Sequence, residues 1–167
     1  MRFIRLLLIS FVALFLVVTG ISLLIPSHVR ISKAIDIKAS RDSILTQLAD
    51  PAQWPHWYPR LDSAQLFREA GQVKGVSLND RAGTLIVLTR QSPDEVVTEF
   101  KGHRMKQLIS GWNLIPAADS TTVTVQWYMD FSLRWYPWEK FSSLVLEKTY
   151  GPVMEQGLAR LKKLVEN

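Results

Sequence analysis

The sequence predicts an α+β domain, an antiparallel sheet curved around a long C-terminal helix, carried behind one N-terminal transmembrane helix. Three observations predict it. Residues 6–25, LLLISFVALFLVVTGISLLI, carry no charge. Residues 123–133 alternate between apolar and polar side chains, as a strand with one buried face does. Met154, Leu158, Leu161 and Val165 recur at the spacing of a single buried helical stripe.

The N-terminal run of about 20 residues rises about 1.5 Å per residue and so spans a hydrocarbon core of roughly 30 Å. Pro26 and Ser27 end it. A cleaved signal peptide would have a shorter apolar core, about 7–15 residues, followed by a small-x-small site. Val18-Thr19-Gly20 is a poor version of that site, and hydrophobic sequence continues past it. Residues 1–28 are therefore read as an anchor and residues 29–167 as one domain. Arg2, Arg5 and the α-amino group precede the span, while Arg30, Lys33 and Lys38 follow it, so the count of basic groups gives no clear winner. A short doubly basic tail tends to stay inside, whereas long folded segments cross largely regardless of charge. The expectation is a single-pass protein of the cell (inner) membrane with its domain on the extracytoplasmic side.

The absence of cysteine removes disulfides, thiolate metal sites and a thiol nucleophile together. The net charge of +5 includes the two arginines of the tail. The remaining charges are scattered, which fits anionic head groups slightly and nucleic acid hardly at all. Roughly 140 residues lie beyond the anchor, enough for a core without covalent staples.

Within the domain, residues 29–38 place Ile31, Ile35 and Ile37 opposite Ser32, Asp36 and Lys38, the period of a half-buried strand. Ser40 offers an N-cap oxygen to a helix over Arg41–Ala49 with Ile44, Leu45 and Leu48 on one face. Asp50-Pro51 breaks that helix, and Pro51 is placed to open a second short one as its first residue. Two prolines in WPHWYP, residues 54–59, should end this piece. Strands are expected at 63–69, 75–79, 84–90, 95–100, 105–115 and 121–133. Turn material separates them: Glu69-Ala70-Gly71, Asn79-Asp80-Arg81, Ser92-Pro93-Asp94 and residues 117–120. Residues 135–138 then lead into a helix reaching Val165. Phe141, Leu144 and Val145 form an earlier apolar stripe, and Gly151-Pro152 should kink or divide the helix.

Two stretches carry a family resemblance. VRISKAIDIKAS, a short helix and LADPAQWPHWYP resemble the opening of START-like (SRPBCC) proteins. PWEKF followed by YGPVMEQGLARLKKLVEN resembles their last helix. That helix-grip group contains lipid-transfer domains and the polyketide cyclase/dehydrase family. The resemblance covers essentially all of residues 29–167 and is strongest at the two ends. It implies a cavity between sheet and C-terminal helix that takes lipids, sterols, polyketides or other apolar molecules.

On this reading Trp112, Trp127, Met129 and Phe131 are candidate ligand contacts, an apolar wall holding its ligand by area burial. The alternative for each is plain core, packed against Met154, Leu158 and Leu161. Gly157, in mid-helix where glycine costs roughly 1 kcal/mol relative to alanine, is expected to leave room for ligand or for a close-approaching strand. Trp54 and Trp57 either pack the short helices on the sheet or form a cavity mouth. Trp135, Tyr136 and Trp138 either close the sheet end or touch the bilayer interface.

His28, His56 and His103 show no metal-ligand spacing. Neither a nucleophile elbow nor a phosphate or dinucleotide glycine loop is present, and no pair of carboxylates suggests acid–base chemistry. No cofactor, metal or catalytic residue is expected. The leading expectation is a membrane-anchored binding or transfer domain for an apolar small molecule, lipid-like or isoprenoid. A cyclase/dehydratase-type enzyme of the same fold is the second. An interaction or sensing domain with a vestigial cavity, whose protein partner the sequence does not name, is the third.

Overall fold

The computed structural model describes residues 2–80, 83–102, 108–118 and 121–166. His103, Met105 with the start of its expected strand, Arg81 and Ser120 lie outside the described residues.

Helix α1, Arg2–Leu23, is long and apolar enough to cross a membrane, with a mean hydropathy of 2.7 over its most apolar window. Strand β1, His28–Ile37, follows Pro26 and buries Ile31 and Ile37. Helix α2, Arg41–Ala49, starts as expected: the Ser40 side chain accepts from the Ser43 backbone N–H at 3.2 Å. Helix α3 differs from expectation. It does not open at Pro51; residues 51–53 form a turn, and the helix is Trp54–Trp57 itself, with Pro55 in its first turn. A first-turn residue donates no intrahelical bond, so this proline starts a helix where a later one would break it.

Six strands follow, β2 Gln65–Glu69, β3 Gln72–Ser77, β4 Leu85–Gln91, β5 Glu95–Lys101, β6 Leu108–Pro116 and β7 Val123–Ser132. They form one seven-stranded sheet of order β1-β7-β6-β5-β4-β3-β2, and each neighbouring pair is antiparallel. Register shifts between Phe67 and Arg68 and between Leu88 and Arg90 bend it. Gly75 sits where a side chain would collide with the Ile86 backbone, so its missing Cβ lets β3 lie hard against β4 at that point.

The C-terminal helical region is divided, but not at Gly151-Pro152. Helix α4, Pro137–Ser142, passes through a single 3-10 turn, Ser143–Val145, into α5, Leu146–Glu166, which runs on through Pro152 as one element. A second correction concerns the stripe Phe141, Leu144 and Val145. Leu144 is 67% and Val145 54% exposed, so this stripe faces away from the core. The later stripe behaves as expected: Met154, Leu158 and Leu161 are fully buried as α5 packs on β1 and β7 beneath α2 and α3. The sheet therefore wraps α5, the helix-grip arrangement.

Candidate functional site

The space between sheet and α5 has two halves. One is solid aromatic packing. Trp112 on β6 and Trp127 on β7 are directly paired across the strands, their rings 5.4 Å apart. Trp57 of α3 meets both edge-on, at 5.6 and 6.1 Å, and Tyr58 lies 4.9 Å from Trp127. Trp54 closes the group at 6.4 Å from Trp112. All four tryptophans are completely buried. Burying an indole leaves an N–H to satisfy. Trp127 Nε1 donates to Ser110 Oγ at 2.8 Å, and Trp54 Nε1 donates to the Leu48 carbonyl at 2.8 Å. Ser110 and Thr98 are thus buried polar residues with a purpose; the Thr98 hydroxyl in turn donates to the Ser110 carbonyl.

Gly157 belongs to this half. A Cβ there would stand 2.6 Å from Trp127 Cζ3 and 3.0 Å from Pro59 Cδ. Of the two uses expected for it, the space is given to the side chain of a close strand. Burial raises the Tyr58 hydroxyl pKa well above its ordinary value.

The other half holds a partly enclosed cavity of about 110 Å³. Met129, Ile86 and Phe100 of the sheet, Tyr150 and Val153 of α5, and residues 58–61 with Leu78 line it, with the exposed Arg60 at its rim. Its walls are almost wholly apolar. The exposed Arg60 guanidinium is the charged group at this rim, and it has no ion pair among the described residues. Arg60 holds φ at +68°, a left-handed conformation that a non-glycine residue adopts at a cost of roughly 1–2 kcal/mol.

Of the five residues singled out from sequence, Met129 lines the cavity. Phe131 lies two residues along the same face and packs on Tyr150, ring centres 5.0 Å apart. Trp112, Trp127 and Gly157 form the packed floor behind. Sequence reasoning missed Arg60, Phe100, Tyr150 and Val153. Tyr150 and Val153 had a signal available, since they flank Met154 on the helical stripe. Arg60 had none, because its position depends on how the chain leaves α3. Of the histidines, His28 and His56 are exposed and contribute nothing to this cavity. No cluster able to hold a metal occurs among the described residues.

A polar assembly lies on the opposite face of the sheet. Tyr128 crosses over Gly111, whose missing side chain leaves it room, and its hydroxyl donates to Glu95 Oε1 at 2.8 Å. Arg30 covers the ring at 4.5 Å and grips Asp130 through two bonds of 2.7 and 2.6 Å. Burial, then the hydrogen bond to Glu95, pushes the Tyr128 hydroxyl up to about 12. This group reads as a clasp across β1, β7, β6 and β5.

A family model described as polyketide cyclase/dehydrase and lipid transport matches residues 28–166. No curated protein matches the chain. Among solved structures, a START superfamily protein from Mycobacterium smegmatis aligns with a TM-score of 0.62 at 15% identity, covering 82% of this chain and 97% of that one. Zhui aromatase/cyclase from Streptomyces sp. R1128 aligns with a TM-score of 0.60 at 14% identity, covering 83% and 94% respectively. Protein XoxI from Bacillus cereus gives 0.59 at 15% identity, with coverages of 81% and 94%. At such identities the structures share a fold, and the family model carries membership: from residue 28 to residue 166 this chain belongs to the polyketide cyclase/dehydrase and lipid transport family.

Proposed function

We propose that the protein is a membrane-anchored binding domain for a small apolar molecule, lipid-like or isoprenoid, held between sheet and α5. The cavity carries this reading: its walls are apolar, and neither carboxylate nor histidine is among its described lining residues. Acid–base turnover needs groups of separated pKa converging on the substrate. The described lining supplies the Tyr58 and Tyr150 hydroxyls and Arg60, and phenols and guanidinium groups ordinarily titrate far above neutrality. Binding is thus favoured over the cyclase role of the Streptomyces neighbour. In this reading Met129 and Phe131 touch the ligand, Trp112 and Trp127 limit how deep it goes, and Gly157 lets Trp127 seat. Arg60 offers its charge to an acidic or phosphorylated end.

Size narrows the ligand. A volume of about 110 Å³ falls below the roughly 300–1,000 Å³ of ordinary ligand pockets. The cavity therefore takes a short apolar group, or its rim parts to admit a longer one. Helix α1 is read as a single-pass anchor, with Arg2 and Arg5 in the cytoplasm and the domain outside it. A tether of this kind raises the local concentration of the domain over a bilayer-borne ligand.

Native mass spectrometry with solvent extraction, on residues 28–167 purified without detergent, tests the reading. We expect a defined apolar species, lost in Val153→Arg while the circular dichroism spectrum is retained. A ligand-free domain that also takes up no apolar fluorescent probe would overturn it.

A further inference from the structure

We propose that the exposed apolar ridge of α4 and the following 3-10 turn is a second membrane contact, seated in the interfacial layer of the leaflet that α1 leaves. It rests on the reading of α1 as a membrane anchor. Trp138 is 63%, Trp135 56%, Leu144 67% and Val145 54% exposed, and Phe141 joins them at 38%. Tyr136 stacks on Trp138 at 4.9 Å, making the aromatic end of the ridge a rigid block. A water-facing surface rarely concentrates so many large apolar side chains on a dozen residues. Tryptophan and tyrosine are the side chains that settle at the boundary between head groups and hydrocarbon.

The position of the ridge identifies the occupant. Helix α4 packs directly on α1. Lys140, buried despite its charge, donates to the Ile25 carbonyl and to Ser27 Oγ, each at 2.8 Å. The ridge is thereby fixed beside the point where the apolar helix ends, and cannot swing far from the bilayer that helix would occupy. Arg134 and Lys148 flank it and are exposed, as suits anionic head groups. Of the nearby acids, Glu139 accepts the Arg134 backbone N–H and Glu147 lies 3.5 Å from Lys33.

This seating orients the cavity. One rung of the sheet runs from Val29, just past the anchor, through Phe131, Leu108 and Phe100 to Ile86. Phe100 and Ile86 line the cavity, so it lies at the end of the sheet nearest the anchor. Two fixed contacts, α1 and the ridge, hold that end toward the leaflet and leave a bilayer-borne ligand a short path.

The absence of cysteine makes the test direct. Single cysteines replace Trp138, Leu144 and Val145, with Leu14 in α1 and Gln72 at the far end of the sheet as references. Each full-length variant carries an NBD probe and is reconstituted in phosphatidylcholine–phosphatidylglycerol vesicles without doxyl lipid, with shallow doxyl-labelled lipid to read the ridge, or with lipid doxyl-labelled deep in the chain to read position 14. We expect blue-shifted emission and quenching at positions 138, 144 and 145, and neither at 72. Val145→Cys, the smallest change, keeps the test alive should Trp138→Cys misfold. Quenching at 14 but not on the ridge overturns the proposal and leaves the anchor standing. Quenching on the ridge without position 14 sustains the ridge and removes the anchor reading. A blue shift on the ridge that doxyl lipid does not quench, and that fades on dilution, assigns the surface to a second copy of the chain and overturns the proposal.

Discussion

Gly157 and Gly111 do the same job on opposite faces of the sheet: each omits a side chain so that one large aromatic can lie flat. A methyl group at 157 would press on Trp127 and Pro59. Overpacking of this kind costs about 1–3 kcal/mol, against roughly 1 kcal/mol gained in helix propensity. Gly157→Ala should therefore lower the urea midpoint, and the larger Gly157→Leu should cost the fold before it reports on ligand. At the other glycine the partner is titratable. Tyr128 has its folded pKa raised from 10.0 to about 12. A group so raised stabilises the fold fully below pH 10, and that contribution is lost as pH rises through about 12. Tyr128→Phe should flatten the loss of stability across this window, and should itself cost about 0.5–1.5 kcal/mol at neutral pH through the bond to Glu95. Urea unfolding at a series of alkaline pH values checks both. A Tyr128→Phe curve parallel to that of the parent would show that this hydroxyl is not the group responsible.

Two elements are held by local chemistry that a substitution can probe. The β2–β3 hairpin turns on Ala70 and Gly71, with φ of +51° and +82°. Two positive φ angles in a two-residue loop make the turn that favours Asn-Gly. Ala70→Asn should thus raise stability, by up to about 1 kcal/mol from relieved strain, seen as a higher melting temperature. Helix α2 depends on its Ser40 cap. Ser40→Ala should cost about 1 kcal/mol, and hydrogen exchange at residues 41–44 should quicken first. Ile44, Leu48 and the alternating face of β7 were legible as buried positions, because a period in the chain maps directly onto one side of an element. The break between α4 and α5 was not. Gly151-Pro152 carries the stronger local signal, yet α5 runs through it, held by the packing of Met154 and Leu158 on the sheet.

Across the whole molecule, Lys140 joins the end of α1 to α4. Its buried ammonium is satisfied by the Ile25 carbonyl and Ser27 Oγ, so Lys140→Met leaves both without that donor. Hydrogen exchange in vesicles should then rise at residues 25–28 and 137–142 while β5, β6 and β7 stay protected. Unchanged exchange at both segments would mean that the contact between α1 and α4 holds without it.

The apolar N-terminal run, the strand count, the faces of the first and last strands and the final helix follow from the sequence by itself, since hydrophobic period and turn residues are properties of neighbouring positions. Tertiary structure decided the rest. Trp127 and Met129 have equal claims as apolar residues on one face of β7. Only the arrival of α3 and Gly157 makes the first a packed floor and leaves the second open to a cavity. Phe141, Leu144 and Val145 have the spacing of a core stripe, but with Lys140 tied to the end of α1 that stripe points outward. Which apolar faces meet, and which stay bare, depends on contacts between segments distant in sequence, and no local pattern records them.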